Sequence, residues 1–247
     1  MNRPSSARDL LDVVDHPDTS RPAIPAATVL LVRDAPTVGL EVLMIERGRG
    51  TSFGGMWAFP GGVIEADDVP AESAPDPLPA ARIAAARETR EEVGLVVDAD
   101  SMVLWSHWVP PADTPAPKRF STWFLLAAAG DAHGDESVAV DGREVRTRRW
   151  ITPSSALDRY ASGEIGMVAP TLVTLTDLAR RASVEHAVTS VDAEYYATRL
   201  VPTDAGRWCL WHGDAAYESG DLDATGPRNR LLIDGERAPY ERSDWPD

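Results

Sequence analysis

Arg87-Glu88-Thr89-Arg90-Glu91-Glu92-Val93-Gly94-Leu95 is the stretch on which the reading of this chain turns. Its acids stand at i, i+3 and i+4. At 3.6 residues per turn these positions share one helix face. A helix is expected here. Residues 80–92 are rich in alanine and free of glycine and proline, and Gly94 stands where a left-handed cap would stop it. Three carboxylates one turn apart repel one another, by roughly a few tenths of a kcal/mol per pair on an exposed helix and more if partly buried. A helix built only to be solvated would interleave lysine. A divalent cation turns the same arrangement into a hard-oxygen site suited to Mg²⁺ or Mn²⁺. The bland alternative is three acids that face water, and the residues upstream bear on the choice.

The whole chain has 247 residues, with 24 Lys+Arg against 39 Asp+Glu and a formal charge of −15. That balance argues against non-specific nucleic-acid binding. It leaves a phosphorylated small molecule open, because a bound cation can reverse the local field. A lone cysteine, Cys209, excludes an internal disulfide framework. The longest apolar run, around residues 123–129, has the length of a strand and not of a bilayer span. The first 22 residues hold no apolar signal-peptide core. A cytoplasmic, membrane-free setting is the resulting expectation.

Outward from the helix the pattern alternates strands and turns. Residues 27–32 (ATVLLV) and 40–45 (LEVLMI) read as a hairpin connected through Pro36 and Gly39. Residues 47–55 form a Gly- and Arg-rich loop, and residues 57–64 (WAFPGGVI) hold a Pro-Gly-Gly turn. Residues 67–79 carry Pro70, Pro75, Pro77 and Pro79 among acids and read as a surface loop. Further strands are expected at 95–97, 102–108, 119–127 and 143–151, and helices at 156–160 and 170–182. After residue 186 short β-like pieces return at 195–201, 207–211 and 229–233. The implied organisation is an N-terminal arm at 1–24 with a short helix at 8–14, a main domain at 25–185, and an extension at 186–247 that packs on the core. Periodicity alone supports a mixed α/β class.

The helix and the preceding Phe59-Pro60-Gly61-Gly62 together resemble the Nudix box. In that box a Gly is followed after five residues by Glu, then after seven more by Arg-Glu-U-x-Glu-Glu-x-Gly-U, where U is a bulky aliphatic residue. Arg87, Glu88, Glu91, Glu92, Gly94 and Leu95 match, and Thr89 takes the aliphatic position. Counted from Gly62, the acid of the first half falls on Asp68. Arg87 lies 19 residues beyond Asp68 where the box has eight, so about 11 residues are inserted, within the Pro-rich 67–79 segment. Glu65 is the other acid close after the turn. A lengthened box resembles the coenzyme A diphosphatase-like branch. So do Trp57-Ala58-Phe59-Pro60-Gly61-Gly62, Ser106-His107-Trp108-Val109-Pro110, the stretch from Lys118 to Phe124 with Ser121 in an Asp position, and Trp150-Ile151-Thr152-Pro153.

The resemblance covers roughly residues 25–182. It implies a Nudix α/β/α sandwich with a mixed sheet, and a pyrophosphohydrolase using Mg²⁺ or Mn²⁺. Its substrate would be a nucleoside diphosphate linked to another moiety. A coenzyme A derivative leads, with ADP-ribose, NADH and dinucleotides as alternatives. It assigns the metal to Glu88, Glu91, Glu92 and Gly62, and catalytic roles to Glu88, Arg87 and Glu91. Glu88 is a third ligand or the general base, and Arg87 orients the acids through ion pairs.

Arg47, Arg49 and Arg119 are candidate phosphate contacts, by bidentate guanidinium bonding. Against the reading of Arg47 and Arg49 stands a solvated loop. His107 and Trp108 read as core residues before base-stacking ones, and Glu144 as an added metal or base candidate. Arg143, Arg146, Arg148 and Arg149 read as a solvated cluster at a strand edge. Trp208 and Trp211 read as packing anchors, within the chain or across a homodimer. A Nudix-like ligand-binding regulator with a DNA-binding tail is the rival. It needs a basic module after residue 185, where acids prevail.

Overall fold

The computed structural model describes residues 22–48, 50, 54–70, 76–111, 118–130, 145–233 and 240–243. Most of the N-terminal arm, the short helix read at 8–14, Arg49 and Glu144 lie outside the described residues.

The central strand β1 (Ile24–Ala35) is buried from Ala26 to Val32. Such a continuous apolar run belongs to a strand covered on both faces. It pairs antiparallel with β2 (Gly39–Arg47) on one edge and parallel with β6 (Phe120–Ala128) on the other. The large sheet runs β3 (Trp57–Ala58), β2, β1, β6, β5 (Val103–Val109), β8 (Glu194–Ala197). β4 (Gly61–Val63) pairs with β1 at Ala26–Thr28, on the edge that β2 uses further along, and β7 (Val145–Ile151) pairs with β2.

The carboxylate-bearing helix α1 (Leu78–Val93) lies on one face. Its buried positions are small, with Ala81, Ala84, Ala85 and Thr89 each at 0% exposure. The Asp76 carboxylate accepts the Leu78 N–H at 2.9 Å near its start. Gly94, at φ 69, closes its end, and the Gly94 N–H donates to Arg90 O at 3.0 Å. Helices α2 (Pro153–Ala161), α3 (Ala169–Leu178) and α4 (Val184–Thr189) cover the opposite face. The result is the α/β/α sandwich with a mixed sheet that the sequence implied.

Three local expectations are corrected. Residues 95–97 are not a strand. Leu95 and Val97 are buried while Val96 is 71% exposed, so the alternation reports burial without a partner strand. Residues 184–189 form a helix to which the sequence reading assigned no element. The run at 195–201 is two strands. β8 joins β5 in the large sheet, and β9 (Arg199–Thr203) belongs to a separate antiparallel sheet. That sheet runs β12 (Glu241–Arg242), β11 (Asn229–Ile233), β10 (Gly206–Leu210), β9. Thr198 is the joint. Its N–H donates to Val109 O at 3.0 Å, and its hydroxyl accepts Trp211 Nε1–H at 3.0 Å.

A ladder of aromatic rings fills the face opposite α1. It runs Phe59, Phe124, Trp108, Tyr196, Trp211, Tyr240, with Trp108 stacked on Tyr196 at 3.9 Å between ring centroids. Cys209 and Trp211 sit in the same cluster. The small sheet is tied together by a buried ion pair, in which Arg230 donates twice to Asp214, at 2.7 and 2.5 Å. Among the described residues no helix is long and apolar enough to cross a membrane.

Candidate active site

The Pro-Gly-Gly turn is where the box helix meets the sheet. Thr28 Oγ1–H donates to Pro60 O at 2.6 Å, and the Val29 N–H donates to the same carbonyl at 2.9 Å. Gly61 and Gly62 then pair with Thr28 and Ala27. Gly61 stands at φ 154, and a Cβ there would lie 2.3 Å from Ala27 O and 2.6 Å from Thr28 Cα. Backbone cannot yield by that much, so only glycine fits. At Gly62 a Cβ would lie 2.3 Å from Glu88 Oε1. The missing side chain is the space the carboxylate uses.

The three box acids have different surroundings. Glu92 is 4% exposed, and its Oε2 accepts the Gly61 N–H at 2.9 Å. Its Oε1 faces Arg47 Nη1 at 3.7 Å. Glu88 lies against Gly62 and accepts from Arg87 Nη1 at 2.9 Å. Glu91 has 52% of its side chain exposed and accepts from the same nitrogen at 3.2 Å. Arg87 is anchored from behind. Its Nε and Nη2 donate to Asp68 at 3.0 and 2.9 Å, and Nη2 also donates to Val63 O at 3.0 Å.

Asp68 had no assigned role in the sequence reading, and the structure makes it the base of this arrangement. It is 3% exposed and also accepts the Glu65 N–H at 2.8 Å. Burial alone would raise its pKa. The Arg87 hydrogen bonds, the Glu65 N–H and the Arg87 charge outweigh that and hold the carboxyl below its ordinary range. The signal was present, since Asp68 falls on the acid position of the box. The inserted residues lengthen the path to Arg87 without moving its end points. A 3₁₀ turn at Ala66–Asp68 fixes one side and the helix start at Leu78 the other. Glu65 itself is exposed. Arg148, read as part of a solvated cluster, donates to Val93 O at 2.6 Å and so caps the last turn of α1.

Arg119 stands at the same end of the sheet, beside Ile24. Its Nε and Nη2 donate to the carbonyls of Pro111 and Pro110, each at 3.0 Å. That guanidinium braces the chain after β5. His107 is fully buried, stacked on Trp123 at 4.1 Å, with Nε2 and Ser121 Oγ 2.7 Å apart. Burial lowers its pKa to about 4. Trp108 is 3% exposed and belongs to the core.

The donor set fits a hard divalent cation in kind: three carboxylates and the carbonyl-bearing turn at Gly62. Among the described residues no three acids converge on one point as they stand. Arg87 sits between Glu88 and Glu91, and Arg47 sits at Glu92.

Residues 22–170 match the family profile of the NUDIX domain. Acyl-coenzyme A diphosphatase NUDT19 of Xenopus laevis is 25% identical over 140 residues, which is 53% of this chain and 36% of that protein. The chain thus spans about a third of the length of that relative. The crystal structure of a NUDIX hydrolase from Alicyclobacillus acidocaldarius superposes with a TM-score of 0.59 at 25% identity, covering 70% of this chain and 98% of that one. A box helix held against a double-glycine turn, a profile match over more than half the length and a shared sandwich place this chain in the NUDIX family.

Proposed function

We propose that this chain hydrolyses the phosphoanhydride bond of a nucleoside diphosphate linked to a second moiety, with a coenzyme A derivative as the leading substrate. The observation that carries the reading is the seating of Glu88 and Glu92 against Gly61 and Gly62, with Glu91 one turn away in the open. The acyl-coenzyme A diphosphatase relative supports the choice of substrate class.

Glu88, Glu91, Glu92 and the Gly62 carbonyl would hold Mg²⁺ or Mn²⁺. When bound, such an ion neutralises phosphate oxygens and lowers the pKa of a coordinated water. Water oxygen bonds to one phosphorus, the bond to the bridging oxygen breaks, and two monophosphates leave. In the alternative to its role as a third ligand, Glu88 takes the proton from the attacking water. Arg87, fixed by Asp68, keeps Glu88 and Glu91 in register throughout. Arg47 and Arg49 supply guanidinium donors to the phosphates, while Arg119 braces the carbonyls of Pro110 and Pro111. Residues 186–247 carry no chemistry of their own and serve the domain at 25–185 by packing, within one chain or across a homodimer. The setting in this reading is cytoplasmic, with no nucleic-acid or membrane partner.

Incubation with coenzyme A, acyl-coenzyme A, ADP-ribose, NADH and a dinucleoside polyphosphate, each with Mg²⁺ or Mn²⁺, tests the reading when products are identified by mass. Two monophosphates from a coenzyme A substrate are expected. Glu91→Gln and Glu92→Gln should each lower turnover by at least about 100-fold with the fold retained. Near-normal turnover in both variants would overturn the site.

A further inference from the structure

Two arginines attend the box acids, and they are held in different ways. Arg87 is locked. Its fork makes paired hydrogen bonds to Asp68 and a third to a backbone carbonyl, all at 2.9 to 3.0 Å. Among the described residues the Arg47 guanidinium is held at one point, with Nη1 3.7 Å from Glu92 Oε1. That separation is an ion pair without a hydrogen bond. Its Nε is buried and has no hydrogen-bond partner among the described residues.

The backbone beneath Arg47 is firm. The Arg47 N–H donates to Met56 O at 3.0 Å, and Arg47 O accepts the Gly55 N–H at 2.8 Å. The pairing of β2 with β7 shifts register between Glu46 and Arg47. Bulges of this kind re-aim a side chain beside a functional site. A fixed backbone thus carries a loosely held cation with an unmet donor. Glu92 is the firmer partner: its Oε2 accepts the Gly61 N–H at 2.9 Å while its Oε1 faces Arg47 Nη1 at 3.7 Å.

We propose that Arg47 is an exchangeable partner of Glu92, which yields Oε1 to the divalent cation and then turns its guanidinium to a phosphate oxygen of the substrate. The proposal rests on the reading of the site given above. Arg47 is the arginine that moves because among the described residues it has one weak contact to break, where Arg87 has five hydrogen bonds. The planar fork suits a diphosphate oxygen pair. Cation and diphosphate then favour each other's binding through Arg47, and by linkage the coupling is reciprocal.

Mn²⁺ binding to the full chain, followed by electron paramagnetic resonance without substrate, tests this. Arg47→Gln should bind Mn²⁺ about fivefold more tightly than wild type, because the competing cation is gone. In the Glu92→Gln background the same substitution should change nothing, which separates exchange at Glu92 from a general gain of negative charge. Binding of α,β-methylene-ADP, a non-hydrolysable nucleoside diphosphate, should be strengthened by Mn²⁺ in wild type and much less in Arg47→Gln, with Arg47→Lys in between. Unchanged or weaker Mn²⁺ binding in Arg47→Gln overturns the exchange while the site reading stands. Failure of wild type itself to bind Mn²⁺ overturns both. Circular dichroism on each variant confirms that the fold is kept.

Discussion

The two faces of the large sheet are packed by opposite means. Under α1 the contacts are made by Ala81, Ala84, Ala85 and Thr89, all fully buried and all small. On the other face a ladder of rings from Phe59 to Tyr240 packs with the bulky aliphatic side chains Leu172, Val173, Leu175 and Leu178 of α3. Small side chains let a helix backbone lie low on the sheet. Only then can Glu88 and Glu92 reach a turn whose own residues have no side chains. The far face has no such geometry to satisfy and buries as much apolar area per residue as it can. One face is shaped by where its carboxylates must end, the other by how much surface it removes from water.

If that division is right, damage to the two faces should be separable. Trp211→Ala should cost about 3–5 kcal/mol of stability, the usual range for emptying a large aromatic site. Trp211 is 1% exposed and touches Trp108, Tyr196 and Tyr240. Turnover measured well below the lowered melting midpoint should stay within about threefold of wild type, an order-of-magnitude margin for a change remote from the carboxylates. A collapse of turnover at such temperatures would show that the ring ladder shapes the site as well.

Gly62→Ala should do the reverse. The new Cβ meets the far end of the flexible Glu88 side chain and not backbone. The carboxylate can swing aside, so the melting midpoint should barely move while turnover falls by about tenfold or more, as expected of a misplaced catalytic group. An unchanged turnover would mean that Glu88 need not sit where it does.

His107 offers a finer test, because it lies on the helix-bearing face without belonging to the box. The unfolded chain has an ordinary histidine of pKa 6.5, and the folded value is lowered to about 4 by burial. Below pH 6.5 the unfolded state therefore takes up a proton that the native state refuses. Stability is full above that pH and falls by about 1.4 kcal/mol per unit as pH drops toward 4. Urea unfolding at pH 7, 5.5 and 4.5 should show this slope in wild type, and a flatter one in His107→Gln. Parallel slopes would assign the acid sensitivity elsewhere.

The smallest effect is expected at Thr89. Its hydroxyl donates to Ala85 O at 2.6 Å inside α1, so the polar group is satisfied locally. Thr89→Val should change stability by less than about 1 kcal/mol and leave turnover intact, since both members of the hydrogen bond belong to one helix. Thermal melting and steady-state kinetics on the single variant decide it.

What could be read beforehand follows the same division. The acids of α1 betray themselves because three like charges on one face are costly without a purpose, and the glycine turn because its spacing to the helix is known in kind. Asp68 escaped because the inserted residues break the count, although hydrogen bonding depends on where the ends of a segment lie and not on its length. Arg148 escaped because a strand-edge arginine in sequence is the same whether it meets water or a helix carbonyl. Arg119 illustrates the same ambiguity, since its guanidinium ties two proline carbonyls. Residues 95–97 misled because alternation is a statement about burial, and Leu95 and Val97 are buried without any ladder. The change of sheet at Thr198 had no local signal at all. The hydroxyl at that joint accepts from Trp211, 13 residues further on.

That joint also sets an order of events on the ribosome. Trp108 is covered by Tyr196 and Trp211, which follow it by about 90 and 100 residues. At roughly 5–20 residues per second, ~5–20 s pass between the synthesis of Trp108 and that of Trp211. Through that interval β5 can pair with β6, yet its outer edge and the indole beside it stay open to solvent. A nascent chain carrying residues up to about 190 therefore presents a bare strand edge and an apolar patch together, the combination that chaperones bind and that strand-to-strand aggregation exploits.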